Sequence, residues 1–331
     1  MRERSVGGGL LAWCQGLGRV AVALGLIGLS SSAFAADLPM KASPQPPPPA
    51  VGSDIHGFFD VSFKNDYITP RGLLVTNTGL TTQILSGLVF NLYKDPTGFI
   101  NSFSISGGIW NDLWSKQDDP LVGPWNEFDW FVGGKVGFAK DWSFGVTYVE
   151  FLSPPGNFRT ERNLELSLEF DDSAYLKPIA LHPYAKLFYA IAGDSTVVTG
   201  DAGSTYDIEL GIVPTLDLKP YGVPVTLTAP TWITVGPTSY WNRGVSGCGP
   251  TATTPCATSN AGVVSTGLTA KAPLGFIPPR LGNWYVYGGG QFYHLINDSL
   301  LLAQTFVGTA TNYASAHRDV AVGFVGIGFG F

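Results

Sequence analysis

The sequence predicts an all-β protein that forms a closed antiparallel up-and-down transmembrane β-barrel of about 12 strands. Apolar and polar residues alternate with a period of two from residue 54 onward. Long and short connections alternate between the predicted strands, as extracellular loops and periplasmic turns do. The chain of 331 residues is 45% hydrophobic and 13% aromatic but only 13% charged. Together these features favour a membrane barrel over a soluble domain.

The composition also excludes several other classes of protein. A disordered chain would be polar and highly charged, which this chain is not. Its formal net charge is −6 and it has no dense run of Lys or Arg, so no nucleic-acid partner is expected. No segment of the body has about 18 consecutive apolar residues, so a bundle of membrane-spanning helices is excluded.

Residues 1–35 have the features of a secretory signal peptide. Arg2, Arg4 and Arg19 supply the positive charge, residues 20–29 form an apolar run, and small residues precede the expected cleavage before Ala36. A membrane anchor is the weaker interpretation, because the apolar run is short. Residues 36–53 are rich in proline and are expected to form an extended periplasmic tether. The barrel is then assigned to residues 54–331.

The strands are predicted from the alternation. In residues 57–67, for example, Phe59, Val61, Phe63 and Tyr67 share one face and polar side chains dominate the other. A soluble β-sandwich alternates in the same way, so the lengths of the connections decide between the two folds. A two-residue hairpin turn is expected at Lys140-Asp141. The predicted strands are 56–67, 82–93, 99–110, 126–139, 142–152, 161–171, 183–192, 205–214, 225–236, 262–273, 284–295 and 316–331.

The end of the last predicted strand, residues 325–331, alternates between apolar residues and glycine. Val325, Ile327, Phe329 and Phe331 share one face of the strand. This pattern resembles the C-terminal signature of outer-membrane barrels, which the barrel-assembly machinery recognises. Phe329 and Phe331 are therefore the predicted assembly signal, and the machinery is an expected partner. A Gly-x-Gly dinucleotide loop is rejected, because no helix follows it here.

Three internal segments carry a resemblance to a known family. They are Asp66-Tyr67-Ile68-Thr69-Pro70-Arg71-Gly72 with Gln83 beyond it, Gly108-Ile109-Trp110-Asn111-Asp112, and Trp125-Asn126-Glu127-Phe128-Asp129-Trp130. These segments resemble the Gcw-type (TorF-like) family of outer-membrane β-barrel proteins of Gram-negative bacteria. The resemblance covers roughly residues 57–240 and implies an outer-membrane location, whereas the family has no settled biochemical activity. Asn111-Asp112 stands where the family has a Ser-Asn pair, so the resemblance implies no role for that position.

The sequence contains no catalytic constellation, so no enzymatic activity, cofactor or metal is expected. His56, His182, His294 and His317 are scattered and lack the spacing of metal ligands. A lipid-modifying or phospholipase site is the weaker alternative, in which a loop serine would act as nucleophile beside His294 or His317. Gly288-Gly289-Gly290 lacks the Gly-Lys-Ser/Thr of a phosphate-binding loop.

Ten charged residues lie on the polar faces of their strands and are the predicted lumen-lining residues. A Lys that faced lipid at the midplane would cost about 2–4 kcal/mol, so these side chains should point inward. Seven are acidic and three are basic, a formal charge of −4. They are Asp60, Lys64, Glu127, Asp129, Lys135, Glu165, Glu169, Lys186, Asp207 and Glu209.

These lumen residues allow two interpretations. In one, salt bridges such as Glu165 or Glu169 with Lys186 close the lumen. In the other, the lumen is a net acidic passage. A barrel of about 8 strands is filled by its side chains and one of about 16 leaves a channel, so the sequence leaves both open.

Aromatic residues cluster near the predicted strand ends, where Trp and Tyr favour the membrane interface. A sugar-stacking platform at Trp110 and Trp114 is the alternative. The mature chain keeps Cys248 and Cys256, which lie in a turn-rich segment and are expected to form a loop disulfide. A metal site there is the weaker interpretation, since no further ligand lies nearby.

The sequence therefore predicts a porin-like channel in the outer membrane for small solutes, weakly preferring cations. Outer-membrane lipids and small solutes are its expected partners. The alternative is a plugged structural or adhesive barrel whose extracellular loops do the work. The solute, the oligomeric state and the physiological role are not predicted.

Overall fold

The protein is a closed, 12-stranded antiparallel β-barrel, which confirms the predicted fold class. The computed structural model describes residues 54–116, 124–191, 204–241 and 259–331. The predicted signal peptide, the tether and the cysteine pair Cys248 and Cys256 lie outside the described residues. Among the described residues, no helix is long and apolar enough to span a bilayer.

The described residues contain the following elements, in which some barrel strands are divided into two segments. The strand segments are β1 (Ile55–Lys64), β2 (Tyr67–Ile68), β3 (Leu74–Thr76), β4 (Thr81–Lys94), β5 (Ile100–Trp114), β6 (Trp125–Phe138), β7 (Trp142–Leu152), β8 (Glu161–Phe170), β9 (Ile179–Ala180), β10 (Tyr184–Ala190), β11 (Thr205–Ile212), β12 (Thr215–Asp217), β13 (Thr226–Thr228), β14 (Thr231–Val235), β15 (Ala261–Pro273), β16 (Asn283–Leu295) and β17 (Asp319–Gly330). The helices are α1 (Thr238–Trp241) and α2 (Asp298–Phe306).

The first and last strands pair and close the sheet. β1 pairs with β17 from Phe58↔Gly330 to Lys64↔Phe324, and on its other side with β4. Every other barrel strand pairs with its neighbours along the chain. A closed sheet satisfies the backbone hydrogen bonds of both edges internally, which is the condition for a β-structure to span lipid. The connections at one end are long, and this end is called the long-loop end; the other is the short-turn end.

Three neighbouring strands are interrupted by a proline. The predicted strands 205–214 and 225–236 are each divided, by Pro214 and by Pro230, and β9 is separated from β10 by a segment that ends at Pro183. The carbonyl oxygens of these prolines still accept backbone hydrogen bonds: Pro214 O from Ala229 N (2.8 Å), Pro230 O from Gly267 N (3.0 Å) and Pro183 O from Phe170 N (3.0 Å). A proline cannot donate to the ladder, so each strand continues only after a break.

Other predicted boundaries also differ from the structure, and three of these differences affect the shape of the barrel wall. The first strand ends at Lys64 rather than at residue 67, and Tyr67 turns into the barrel. The third strand continues to Trp114. The predicted two-residue turn at Lys140-Asp141 is a three-residue turn, because Phe138 pairs with Trp142 and both Ala139 and Lys140 adopt positive φ.

The period-two pattern separates an apolar exterior from a polar interior. One face of each strand carries exposed apolar side chains and the opposite face turns inward. Such a wide exposed apolar surface is rare on a soluble monomer. Members of the exterior face are Phe59, Phe63, Leu88, Phe90, Ile105, Ile109, Val132, Phe144, Val146, Leu168, Leu210, Leu268, Val286, Phe292, Val325 and Ile327.

Tyrosine hydroxyls bind one carboxylate across the closing seam. Tyr285 and Tyr287 of β16 reach over β17 and donate to Asp60 of β1, with a Tyr285 Oη to Asp60 Oδ2 distance of 3.1 Å. They can do so because β17 has glycine on this inner face. A Cβ at Gly326 would overlap the ring of Tyr287.

We expect Gly326→Val to displace Tyr287 from Asp60 and weaken the seam. Overpacking of this kind costs about 1–3 kcal/mol, so the thermal midpoint of the heat-modifiable band on gels should fall. Gly323→Ala on the same strand is the control, since its Cβ would meet only atoms at 3.8 and 4.0 Å. Equal midpoints for the two variants would contradict this account of the seam.

Candidate functional site in the barrel lumen

A segment of the first long connection folds back into the barrel. This segment, residues 67–76, is here called the strap and contains the hairpin β2–β3. Its turn is closed by hydrogen bonds from Gly72 N to Thr69 O (2.9 Å) and from Leu73 N to Thr69 Oγ1 (3.1 Å). Gly72 has a φ of 91°, and its neighbours leave no room for a Cβ. The strap therefore occupies the lumen as an ordered hairpin.

Apolar packing holds the strap at the long-loop end. Ile68 and Leu74 are 2% and 1% exposed and belong to one buried cluster. Trp232 of the barrel wall also donates from Nε1 to Pro70 O at 3.3 Å. The strap therefore forms part of a hydrophobic core inside the barrel. The buried members of the cluster are Ile68, Leu74, Trp232, Tyr240, Trp241, Val263, Tyr293, Leu295, Leu300, Leu301, Val320, Val322 and Phe324.

Helix α2 packs against the strap at the long-loop end of the barrel. Asn297 caps the helix by accepting from Ser299 N (3.2 Å), and Arg318 donates to Leu295 O (2.7 Å) and to Asp298. Thr309, just beyond the helix, donates from Oγ1 to Leu74 O at 3.1 Å. Helix, following loop and strap are therefore linked, and they close the described lumen at the long-loop end.

The inner wall opposite the seam is acidic. Of the predicted lumen residues, Glu127, Asp129, Glu165, Asp207 and Glu209 all lie inside the barrel with side chains at most 7% exposed. Two further carboxylates that the sequence analysis did not select share this position. The group is here called the acidic wall and consists of Asp112, Glu127, Asp129, Glu161, Glu165, Asp207 and Glu209.

Arg71 of the strap points at the acidic wall. It is 3% exposed, and its guanidinium carbon lies 4.9 Å from the ring centre of Phe188 and 5.6 Å from that of Phe151. Burial acts to lower the pKa of Arg71, but Tyr240 and the carboxylates of Asp207, Glu161 and Glu165 outweigh it and hold the pKa above its usual value. Arg71 is therefore a fully charged, buried cation.

Several buried atoms in this region lack a hydrogen-bond partner within the protein. Among them are Nη1 of Arg71 and Oε1 of Glu165. Buried charged groups are normally hydrogen-bonded, because an unsatisfied one costs several kcal/mol. A hydrogen-bond donor on Arg71 and a hydrogen-bond acceptor on Glu165 are thus unused between the strap and the acidic wall.

Tyr67 fixes the start of the strap against the wall. Its hydroxyl donates to Glu127 Oε2 at 3.2 Å, and its ring lies 5.7 Å from that of Trp110. Burial, and then the nearby Glu127, raises the pKa of Tyr67 well above its usual value, so the phenol keeps its proton. The expectation that Trp110 lies at the membrane interface is wrong: it is 2% exposed, inside the barrel and under Tyr67.

Two of the basic lumen residues make contacts that the structure describes. Lys135 binds Glu169 at 2.7 Å. The Lys186 ammonium lies 5.1 Å from the ring centre of Tyr184, whose hydroxyl donates to Glu209 (2.7 Å). Lys271, which the sequence analysis did not select, lies over the ring of Tyr285 at 3.4 Å.

A small pocket lies beside the seam, against the inner faces of β1, β4, β5 and β16. It has a volume of about 240 Å³, counting the open solvent at its mouth. Lys64, only 3% exposed, supplies an ammonium to it, and Gln83 Nε2 beside it has no hydrogen-bond partner. The residues that line it are Asp60, Ser62, Lys64, Gln83, Leu85, Trp110 and Tyr287.

The described lumen opens toward the short turns. The side chain of Glu169 is 32% exposed and that of Lys135 is 13% exposed, whereas Asp207 and Glu209 deeper inside are 0% and 1% exposed. Among the described residues, the interior is thus a vestibule that ends at the strap and the acidic wall.

His294 forms a pair with Asp319 on the outer surface. Nδ1 of His294 lies 2.7 Å from Oδ1 of Asp319, and the two side chains are 44% and 59% exposed. A carboxylate in this position could orient a catalytic imidazole. Within the described segments, the hydrogen bond of the His294 ring is the one to Asp319, and no hydroxyl is hydrogen-bonded to it.

His182 lies beside Asp171 and Asp172 at the short-turn end. Its Nδ1 is 3.4 and 3.6 Å from their carboxylates, and the three ligand atoms lie within 4.8 Å of one another. Asp172 already accepts from the backbone N–H groups of Leu181 (3.0 Å) and His182 (2.9 Å). Burial acts to raise the pKa of Asp172, but these N–H groups hold it below its usual value. The hydrogen bonds of this turn account for the positions of Asp172 and His182.

Known proteins resemble the chain only in overall fold. Similar solved structures include the NanC porin (TM-score 0.42, 9% identity, covering 82% of this chain and 98% of that chain). Outer membrane phospholipase A from Escherichia coli is also similar, with a TM-score of 0.39 and 14% identity, covering 83% of this chain and 92% of that chain. The translocator domain of the autotransporter NalP from Neisseria meningitidis has a TM-score of 0.34 and 12% identity, covering 96% of this chain and 95% of that chain. No family model matches the chain and no curated protein matches it, so the Gcw-type assignment stays a prediction. The likeness to these structures is therefore one of fold alone.

We expect Leu74→Ala to loosen the strap while the barrel stays folded. Truncating a buried leucine costs about 2–5 kcal/mol, and here the loss falls on the strap. Trypsin should then cut after Arg71 in folded protein in micelles, as judged by N-terminal sequencing of the fragments. Leu88→Ala, on the exterior face at 42% exposure, is the matched control and should stay resistant. Cleavage after Arg71 in the unchanged protein would contradict the ordered strap.

Proposed function

We propose that the protein is an outer-membrane, porin-like channel for small solutes, weakly preferring cations, which the strap holds closed in this conformation. The observation that carries the proposal is the acidic wall, which faces the lumen and leaves Glu165 Oε1 without a protein partner. A barrel that was only structural would gain nothing from burying this much charge, because desolvation is costly.

The apolar exterior supports the membrane location. The exposed apolar side chains alternate with inward-facing polar ones on most of the long strands, as in barrels that contact lipid outside and water inside. Lipids of the outer membrane are then the partner of this exterior. The C-terminal residues Phe329 and Phe331 remain the proposed assembly signal for the barrel-assembly machinery.

The charge of the lumen supports a preference for cations. The ten predicted lumen residues carry a formal charge of −4. The structure adds two carboxylates, Asp112 and Glu161, and two cations, Arg71 and Lys271, so the balance does not change. Acidic groups in a confined wall of low dielectric constant focus their field on the passage and favour cations.

A permanently plugged barrel is the second candidate. The observation in its favour is the apolar cluster around Ile68 and Leu74, because packed cores do not open easily. In that case the exposed loops would be the working surface, and conduction would be absent with or without the strap.

The strap should control conductance in planar bilayers. Replacing residues 67–76 by a Gly/Ser linker of equal length removes the obstacle, so we expect single-channel conductance well above that of the unchanged protein. The same replacement in the short turn 274–282 is the control and should leave conductance as it was. If a heat-modifiable, folded strapless variant shows no conductance, the protein is not a channel.

The acidic side chains should set the ion selectivity of the strapless channel. We expect a reversal potential in a KCl gradient that indicates a cation preference, and Glu165→Gln/Glu169→Gln should reduce it. Salt screens charges over about 10 Å at 0.1 M, so the preference is modest. Glu150→Gln removes a carboxylate that is bound to Arg162 on the exterior and should change nothing. A chloride preference, or selectivity unchanged in the double variant, would contradict the acidic passage.

A further inference from the structure

The environment of Arg71 has the composition of a binding site for a flat organic cation. Phe188 lies directly opposite Glu165 on one side and Asp207 on the other, because β10 pairs with both β8 and β11 in that register. Phe151 lies opposite Glu161 in the same way. The register therefore places two aromatic rings among three carboxylates on one inner surface, here called the cation box.

Both aromatic rings of the cation box are engaged by the guanidinium of Arg71. Phe151 and Phe188 are 1% and 3% exposed, and their ring centres lie 5.6 and 4.9 Å from the guanidinium carbon. A cation within about 6 Å of a ring face is attracted by its quadrupole, and the attraction is larger where water is excluded. The chain's own side chain thus shows which kind of group this surface accepts.

The spacing of the carboxylates excludes a compact metal ion as the natural occupant. Among the described residues, the only group of three metal-type ligand atoms within 4.8 Å is the turn of Asp171, Asp172 and His182. The carboxylates of the cation box do not converge in this way. They surround a space suited to a larger cation whose charge is spread over several atoms.

The cation box is not fully satisfied by Arg71. Oε1 of Glu165, on a residue only 7% exposed, has no hydrogen-bond partner, and neither has Nη1 of Arg71. The tethered guanidinium fills the aromatic part of the box but leaves hydrogen-bonding capacity unused. A ligand that is not tethered to the backbone could turn within the box and donate a hydrogen bond to Glu165 Oε1.

We propose that Phe151, Phe188, Glu161, Glu165 and Asp207 form a binding site for solutes that carry a guanidinium or alkylammonium group, and that Arg71 occupies this site as a tethered ligand. The inference names the solute class of the proposed channel and in that sense rests on the proposed function. A solute that enters from the short-turn end competes with Arg71 for the box, and binding of one releases the other.

The test is chemical rescue of Arg71→Ala in detergent micelles, followed by thermal unfolding. Removing the side chain leaves the box empty, so methylguanidinium chloride should raise the midpoint of this variant by about 2 °C or more at ten times its Kd. Sodium chloride at the same ionic strength and urea, which is flat but neutral, should not. Arg162→Ala, which removes a guanidinium from the exterior, is the matched control and should show no rescue.

If Arg71→Ala does not stay folded, the same comparison is made on its refolding yield into micelles. Methylguanidinium should then raise the yield about twofold over sodium chloride or urea. Equal effects of all three additives, or an equal response of Arg162→Ala, would overturn the site.

These outcomes are separable from those of the channel experiment. Rescue by methylguanidinium in a strapless barrel that does not conduct would overturn the channel and keep the cation box. A conducting Arg71→Ala variant that shows no rescue would overturn the cation box and keep the channel.

Discussion

Pairing of the first strand with the last determines how the rest of the molecule can be arranged. Once β1 meets β17, each strand has one face toward the exterior and one toward a shared interior. Charged residues from β1 to β11, which are far apart in sequence, then face one enclosed space. The seam itself depends on glycine, since Gly326 leaves room for Tyr287 to reach Asp60. Gly326, Tyr287 and Asp60 therefore contribute both to the closure of the barrel and to its polar interior.

The interior changes its chemistry along the barrel axis. At the long-loop end the strap and α2 supply leucine and isoleucine, and the packing resembles that of a soluble core. In the middle, Arg71 faces carboxylates across aromatic rings. Toward the short turns, Lys135 and Glu169 are partly exposed to solvent. A solute that entered there would meet progressively drier and more acidic surroundings.

The strands could be predicted because a period of two is a local property that survives in the folded barrel. The strap could not, since Tyr67 is in phase with Phe59 and Phe63 and thus continues the strand pattern in the sequence. Pro70-Arg71-Gly72 indicates a turn but not that the turn points inward. Asp112 was missed because the predicted third strand ended at residue 110, and Glu161 because it is followed by the charged Arg162 rather than by an apolar residue. The pairing of Lys135 with Glu169 depends on the intervening strand β7, where Gly145 has no side chain between them.

The three prolines in the wall have a mechanical consequence. Pro183, Pro214 and Pro230 lie in adjacent strands, so the breaks form a continuous line across the sheet. Each break replaces a regular ladder by a single remaining backbone bond on each side, such as Val213 N to Leu181 O at 2.7 Å. Regular ladders resist bending of a sheet, so the wall bends more readily at this line than along its unbroken strands. The part of the wall on the short-turn side of the line can therefore tilt relative to the part that carries Phe188 and Asp207.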